Sequence, residues 1–198
     1  MHCYFLMTDL GLYVLYRPNL VKLFCCWYFQ KKIIFSQKKI VQEFEYSILK
    51  PGEADYNEMY SFLVETDDLI IPHLSTRVNL LDYAKKLAEK ATNFFARDNG
   101  LLIGVRSVYF NKYPEFSFST YSCVRKEYQG EDMIGMKLGE VQNKYLIDNG
   151  ARGIRFAIRK SNKALYKYNL KRGARVISEM KYPGTDIVEV EMEYEYKL

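Results

Sequence analysis

A chain of 198 residues with 48% hydrophobic and 27% charged residues is long enough for one well-cored domain and too apolar for a disordered chain. Its formal net charge of +5 does not describe that domain, because residues 1–42 hold Arg17, Lys22, Lys31, Lys32, Lys38 and Lys39 against Asp9 alone, leaving residues 43–198 neutral. A general electrostatic attraction to nucleic acid is therefore not expected of the main domain. Three of the four cysteines, Cys3, Cys25 and Cys26, share the first segment, and with Cys123 and the two histidines, His2 and His73, they form neither a disulfide framework nor a zinc spacing. No metal is expected, and a reducing cytoplasm is the expected setting.

Residues 1–42 read as an aromatic, basic extension. Arg17, Pro18, Asn19 and Lys22 interrupt its apolar runs well short of the ~20 residues that a membrane span needs. No signal-peptide layout is visible. Three readings stay open: an added element packed on the domain, an extension that binds a membrane surface or a partner, and a translation start placed too far upstream.

From residue 43 the pattern is regular. FEYSIL (44–49) alternates as a strand, and 51–68 carries Tyr56, Met59, Tyr60 and Leu63 at helical spacing behind a Pro-Gly turn. After the loop 69–77, Asn79 is placed to cap a second helix whose apolar face is Leu80, Tyr83, Ala84, Leu87 and Ala91. Asp98-Asn99-Gly100 is a turn signal between two β-prone runs, which predicts a hairpin over 91–111. A further strand, 115–124, follows the Lys112-Tyr113-Pro114 turn. Ile134, Leu138, Val141 and Tyr145 predict a helix over 132–149, stopped at Asn149-Gly150. Residues 152–160 predict a strand and 162–172 a short helix ending at Gly173. In 186–197, Val188, Val190, Met192, Tyr194 and Tyr196 alternate with four glutamates, the pattern of a strand with one buried face. One or two strands close the order, and antiparallel pairing first with a strand-helix-strand crossover later makes a mixed α+β sheet flanked by helices.

The stretch 117–135 carries the most chemistry. A β-run ending at Val124 feeds through a charged turn and Gln129-Gly130 toward a helix start, where backbone N–H groups converge on an anion. Downstream, residues 152–175 contain nine basic residues and no acidic one, which favours a polyphosphate ligand over RNA.

The element order and the sequence from residue 43 onward resemble the GNAT superfamily of acyl-CoA-dependent N-acyltransferases, over roughly four-fifths of the chain. Within it, residues 72–111 resemble the first half of bacterial acetyltransferases of surface-sugar biosynthesis. The family's Val-x-Pro-x-x-(Gln/Arg)-x-x-Gly-x-(Gly/Ala) pattern falls on Val124, Gln129 and Gly130 onward. Lys126 stands at its Pro, Asp132 at its central Gly and Ile134 at its Gly/Ala, with Gly135 one residue late. An Asn followed eleven residues later by a Gly falls on Asn162 and Gly173.

The resemblance implies a mostly antiparallel mixed sheet, acetyl-CoA as acyl donor, and direct attack by a primary amine, with an amino-sugar nucleotide as the leading acceptor. A homodimer is one of the assemblies open to the chain. The implied donor site is Ser122, Cys123, Val124, Gln129, Gly130, Glu131, Asp132, Met133, Ile134, Gly135 and Asn162, with the amide near Ser122 polarising the thioester carbonyl. The family's usual acid is a Tyr seven residues after the Asn, a place held here by Asn169, so Tyr166 or Tyr168 takes that role. Glu115, Tyr121 and His73 are the candidate bases, His73 also as an acceptor-loop residue. Two other classes stand beside this one. One is a catalytically silent coenzyme A-binding module, because the glycine pattern is eroded, and the other is an RNA-binding domain using the basic, tyrosine-interleaved 159–175.

Overall fold

The computed structural model describes residues 43–113, 115–130 and 133–197. The aromatic extension 1–42, Pro114 of the predicted turn, and Glu131 and Asp132 of the predicted donor site lie outside the described residues. The described elements are strands β1 (Glu45–Leu49), β2 (Thr92–Asp98), β3 (Leu101–Tyr113), β4 (Phe116–Val124), β5 (Gly153–Arg159), β6 (Arg175–Lys181) and β7 (Val188–Glu195). Four helices join them: α1 (Tyr56–Thr66), α2 (Leu80–Lys90), α3 (Ile134–Asp148) and α4 (Lys163–Lys171). The strands form a single sheet in the order β1-β2-β3-β4-β5-β7-β6. Every neighbouring pair is antiparallel except β4 and β5, which α3 connects as a crossover.

The predicted order of elements is the observed one, and local chemistry explains the boundaries. Asp55 and Asn79 each accept an amide hydrogen bond in the first turn of α1 and α2. Asn99 and Gly100 both take positive φ (47° and 83°), the pair of left-handed residues that a two-residue hairpin needs. Helix α3 ends where Gly150, at φ 81°, lets the Gly150 and Ala151 amides reach back to the Ile147 and Leu146 carbonyls.

Two cores lie on opposite faces of the sheet. On one, α1 and α2 pack Met59, Phe62, Leu63, Ala84, Leu87 and Ala91 against Phe95, Leu102, Val105 and Tyr121. On the other, Ile134, Leu138 and Leu146 of α3 meet Phe94, Ala96, Ile103, Val108 and Ile154. The same face continues under α4 with Ile158, Val190 and Met192.

Two sequence expectations change here. Tyr56 and Tyr60, expected on the buried stripe of the first helix, are exposed, and Phe62 fills the core in their place. The stripe is rotated because α1 must contact both α2 and the sheet, and Phe62 with Leu63 covers both. In β7 the glutamate face is not all solvent: Glu193 is 3% exposed. Its two oxygens accept from Arg155 Nε (2.7 Å) and Arg175 Nε (3.0 Å) of the flanking strands. Burial opposes its ionisation, but the hydrogen bonds and charges of Arg175 and Arg155 outweigh it and hold the carboxyl below its ordinary value.

A depressed folded pKa means that Glu193 contributes stability above the unfolded value of about 4.5, and that this stability is lost as pH falls through the lower folded value. Glu193→Gln is expected to cost about 1–3 kcal/mol at neutral pH. It should also flatten the acid limb of the stability profile, read as the urea midpoint against pH. An acid limb as steep in the variant as in the parent would contradict the assignment.

Candidate functional site

The sheet opens in its middle. Parallel pairing of β4 with β5 runs only from Phe116 with Gly153 to Ser119 with Phe156. Beyond it, Thr120–Val124 and Ala157–Arg159 continue as strands without pairing to each other. The cause is visible one strand away. Val108 opposes Ser119 while Ser107 opposes Tyr121, so Thr120 is an extra residue on β4, and such a bulge bends its strand away from the former partner.

Pairing on the β3 side fixes which amides face this opening. Arg125 N–H donates to the Ile103 carbonyl at 2.9 Å. Backbone groups alternate along a strand, so the amides of Cys123 and Tyr121 also point to β3, and those of Ser122 and Val124 point into the opening. The Val124 carbonyl on that side accepts from Gln129 Nε2 at 2.8 Å. Gln129 thus ties the turn to the strand end, with its side chain engaged there.

The helix does not begin at Gln129-Gly130. A 3₁₀ turn, Lys126–Tyr128, comes first; Gly130 has φ 83° and Met133 φ 53°, and α3 starts at Ile134. Ile134 turns into the core, whereas Met133 and Met136 are exposed at the start of the helix. Gly135 packs its bare Cα side near Val124, where an added Cβ would stand 3.7 Å from the Val124 methyl.

On the α1/α2 face, Tyr121 shares a 2.8 Å hydrogen bond with Thr66, and Tyr83 reaches Thr120 through its hydroxyl (3.0 Å to Oγ1). Burial raises the Tyr121 phenol well above its usual value and pushes Tyr83 up to about 12. Cys123 is partly buried against the same cluster, and burial raises its thiol. These groups are protonated at neutral pH. As a base, Tyr121 is accordingly disfavoured.

The loop between α1 and α2 borders this face. His73 is exposed there, its Nδ1 3.1 Å from the Asp67 carbonyl. Arg77 of the same loop donates to the Tyr182 hydroxyl at 2.8 Å, and Tyr182 donates to Glu189 at 2.9 Å. The face of β5, β7 and β6 beside it carries a shallow cleft of about 180 Å³, lined by Tyr113, Phe118, Ala157, Met180, Glu189 and Glu191.

Glu115 stands apart from all of this. It precedes β4, with the whole strand between it and Val124, and it is exposed and bonded to Arg152 at 3.0 Å. The strand separates it from the opening, and its carboxylate is engaged with Arg152 instead. The sequence places Glu115 next to the strand, but strand length puts opposite ends roughly 30 Å apart at ~3.3 Å per residue.

Helix α4 borders the other face. Asn162 caps it by accepting from Leu165 N (3.1 Å), and Gly173, at φ 98°, ends it. Asn169 folds back on its own helix, donating to the Leu165 carbonyl at 2.8 Å. Tyr166 packs on the Ile158, Val190 and Met192 cluster, whereas Tyr168 is exposed beside Arg172, whose Nη1 is 3.4 Å from its hydroxyl. Of the basic run 152–175, Arg152, Arg155, Lys160 and Arg175 are paired with glutamates, mostly from β7 and β6.

One residue at the opening escaped the sequence reading. Arg106 of β3 lies directly across from Ser122 and points to the α3 face, where its Nη2 donates to the Gly135 carbonyl at 3.1 Å. In sequence it is one arginine in a β-run, with no motif around it. Among the described residues no group of His, Cys, Asp or Glu is arranged to hold a metal ion. None of the described helices is long and apolar enough to cross a membrane.

No protein-family model and no curated protein sequence matches this chain. Solved structures do match in shape. The ribosomal-protein-S18-alanine N-acetyltransferase of Escherichia coli is 17% identical with a TM-score of 0.61, covering 79% of this chain and 96% of that one. An IAA acetyltransferase of Bacillus cereus is 16% identical with a TM-score of 0.55, covering 78% and 100%. An acetyltransferase of the GNAT family from Streptococcus pneumoniae is 15% identical with a TM-score of 0.57, covering 77% and 100%. The opened mixed sheet, with α1 and α2 on one face and α3 and α4 on the other, is the fold of the GNAT acetyltransferases.

Proposed function

We propose that this protein is an N-acetyltransferase that moves an acetyl group from acetyl-CoA to a primary amine by direct attack. The observation that carries the reading is the opening between β4 and β5, into which the unpaired Ser122 amide points, next to the start of α3. Such an opening admits a slender thioester arm through the sheet, between a polyphosphate side at α3 and α4 and an acceptor side at α1 and α2. The acetyltransferase names of its structural neighbours support it.

The amine nitrogen attacks the thioester carbonyl carbon, and charge develops on the carbonyl oxygen. A preorganised amide at Ser122, aimed at the opening, stabilises that charge. The C–S bond breaks, the thiolate takes a proton, and the amine loses one to water or a base on the acceptor side. His73 is exposed in the loop on that side, and Glu189 and Glu191 supply negative charge that attracts a cationic amine. Our acceptor is an amino-sugar nucleotide, and the reaction belongs in the cytoplasm.

Tyr168 suits the proton donor better than Tyr166, since its hydroxyl is exposed beside Arg172 while Tyr166 is used in packing. Tyr168→Phe is expected to lower kcat about tenfold or more, at the low end of the range for general acid catalysis, with KM for the donor little changed. Tyr166→Phe should leave kcat near the parent value and cost some stability. Equal turnover in both variants and the parent would remove the tyrosine acid from the mechanism.

The reading as a whole is tested by calorimetry with acetyl-CoA and by a free-thiol release assay over amino-sugar nucleotides, amino acids and small amines. Saturable donor binding with amine-dependent thiol release is expected. Donor binding without release for any amine class would leave a silent coenzyme A-binding module, and no binding would overturn the proposal.

A further inference from the structure

Among the described residues, Arg106 is a cation without a counter-charge. Its side chain leaves β3 on the face opposite Val105, which belongs to the α1/α2 core. It therefore runs beneath the first turns of α3. One bond, from Nη2 to the Gly135 carbonyl, is its hydrogen bonding there; Nε is shielded from water and has no partner. Among the described residues no carboxylate pairs with it. Gly139 leaves room for it, since a Cβ at that position would lie 3.4 Å from three guanidinium atoms.

Its charged surroundings make the imbalance greater. Burial pushes its pKa down, and the charge of Arg172 adds to that effect, while Tyr168 and Tyr196 are the groups that oppose it. A guanidinium still stays charged in water-like pH ranges. Arg172 also has no carboxylate partner among the described residues; it stacks on Tyr168 (5.4 Å) and Tyr194 (5.3 Å). Tyr196 closes the space from the other side by donating to Asn143 of α3 at 3.0 Å. Helix α4 leaves none of its residues buried and exposes Leu165 and Tyr168. Arg106 beneath α3 and Arg172 at the end of α4 thus lie on the same face of the sheet, linked through the Tyr194 and Tyr196 rings, whose centroids are 5.7 Å apart. A buried charge without a partner is costly, and chains that keep one usually use it.

We propose that Arg106, with Arg172 on the same face of the sheet, receives the diphosphate group of the acyl donor. The charge of this pair replaces grip that the eroded glycine turn does not provide. The inference rests on the acyl-CoA reading for the identity of the donor. It locates the anion differently from the sequence, which placed its recognition in the turn 129–135. The pair binds the anion before any bond is made or broken, so its effect belongs to affinity.

The test measures ligand-free thermal unfolding and calorimetric affinity for coenzyme A and for inorganic pyrophosphate, in the parent, Arg106→Met, Arg106→Lys and Arg172→Met proteins. Without ligand, Arg106→Met is expected to unfold at a higher temperature, because an uncompensated charge is gone. Its affinity for coenzyme A should fall tenfold or more, and pyrophosphate binding should disappear. Arg106→Lys should recover part of the affinity, and Arg172→Met, on an exposed position, should lose several-fold. If Arg106→Met does not fold, Arg172→Met decides: unchanged affinity overturns the pair.

Coenzyme A affinity within twofold of the parent in Arg106→Met also overturns it and leaves the acyltransferase reading intact. A lower ligand-free unfolding temperature in that variant would show the charge to be balanced within the chain, which overturns it as well. Conversely, a parent that binds pyrophosphate but not coenzyme A, with the binding abolished in Arg106→Met, supports the anion pair and fails the acyl-CoA reading.

Discussion

Gly153→Ala is expected to destabilise the protein by about 3 kcal/mol or more, at the upper end for overpacking a core position. Gly153 opens β5 and pairs with Phe116 of β4 on one side and Glu195 of β7 on the other. A Cβ there would fall well inside contact distance of the Tyr194 carbonyl oxygen and the Phe116 ring. Neither can move cheaply. The carbonyl belongs to the β5 and β7 ladder, and the ring is 7% exposed beneath Arg155, whose guanidinium lies 5.6 Å from its centroid.

The position also joins the two halves of the sheet where they still touch. Only four residue pairs hold β4 to β5, and Gly153 is in the first. Loss of that pair should therefore loosen the hinge end of the opening, so donor binding should weaken together with stability. Urea unfolding and donor calorimetry on the same preparation read both effects. A midpoint within experimental scatter of the parent would show that the strands separate without cost.

Ser122→Pro is expected to lower kcat about 100-fold or more, the usual consequence of removing one donor to a developing oxyanion. The substitution deletes the amide that faces the opening and leaves the β3 ladder intact, since the amides of Tyr121 and Cys123 make those bonds. Proline also asks its preceding residue to be extended, and Tyr121 is within a strand. Ser122→Ala keeps the amide and removes only the hydroxyl, so the drop from Ser122→Ala to Ser122→Pro reports the N–H itself. Turnover by folded Ser122→Pro within a few-fold of Ser122→Ala would remove this amide from catalysis.

The two variants act on different properties of one place, the opening and its hinge. That place was only partly legible beforehand. Val124 reads as the end of a strand before a helix, Ser122 enters through the family resemblance, and both border the opening. The opening itself depends on the bulge at Thr120, which exists only because β3 and β4 pair out of step there. Pairing register is a relation between distant segments, and no local pattern in FSTYSCV encodes it.

The helix start shows a different loss. Gln129-Gly130 looked like the beginning of α3, but the chain first makes a 3₁₀ turn and spends the Gln129 amide on the Val124 carbonyl. Turn residues were read correctly as turn residues; how many residues the turn takes was decided by where Ile134 and Leu138 could reach the core. Glu115 and Glu193 show how far position along a strand can mislead: Glu115 adjoins β4 but stands at the end away from the opening, and Glu193, on the glutamate face of β7, is held between two arginines.

By itself, the sequence determined the order and type of the elements, the cap at Asn79, the hairpin at Asn99-Gly100 and the mixed α+β class. These are local matters, set by side-chain period, backbone conformation and the hydrogen-bonding groups within a few residues. Only the tertiary structure decided that β4 and β5 part after Ser119 and Phe156, that Ser122 turns its amide into the gap, and that Arg106 lies under Gly135 with no carboxylate beside it among the described residues. Those depend on register and on which face meets which helix, and they follow from contacts between segments far apart in the chain.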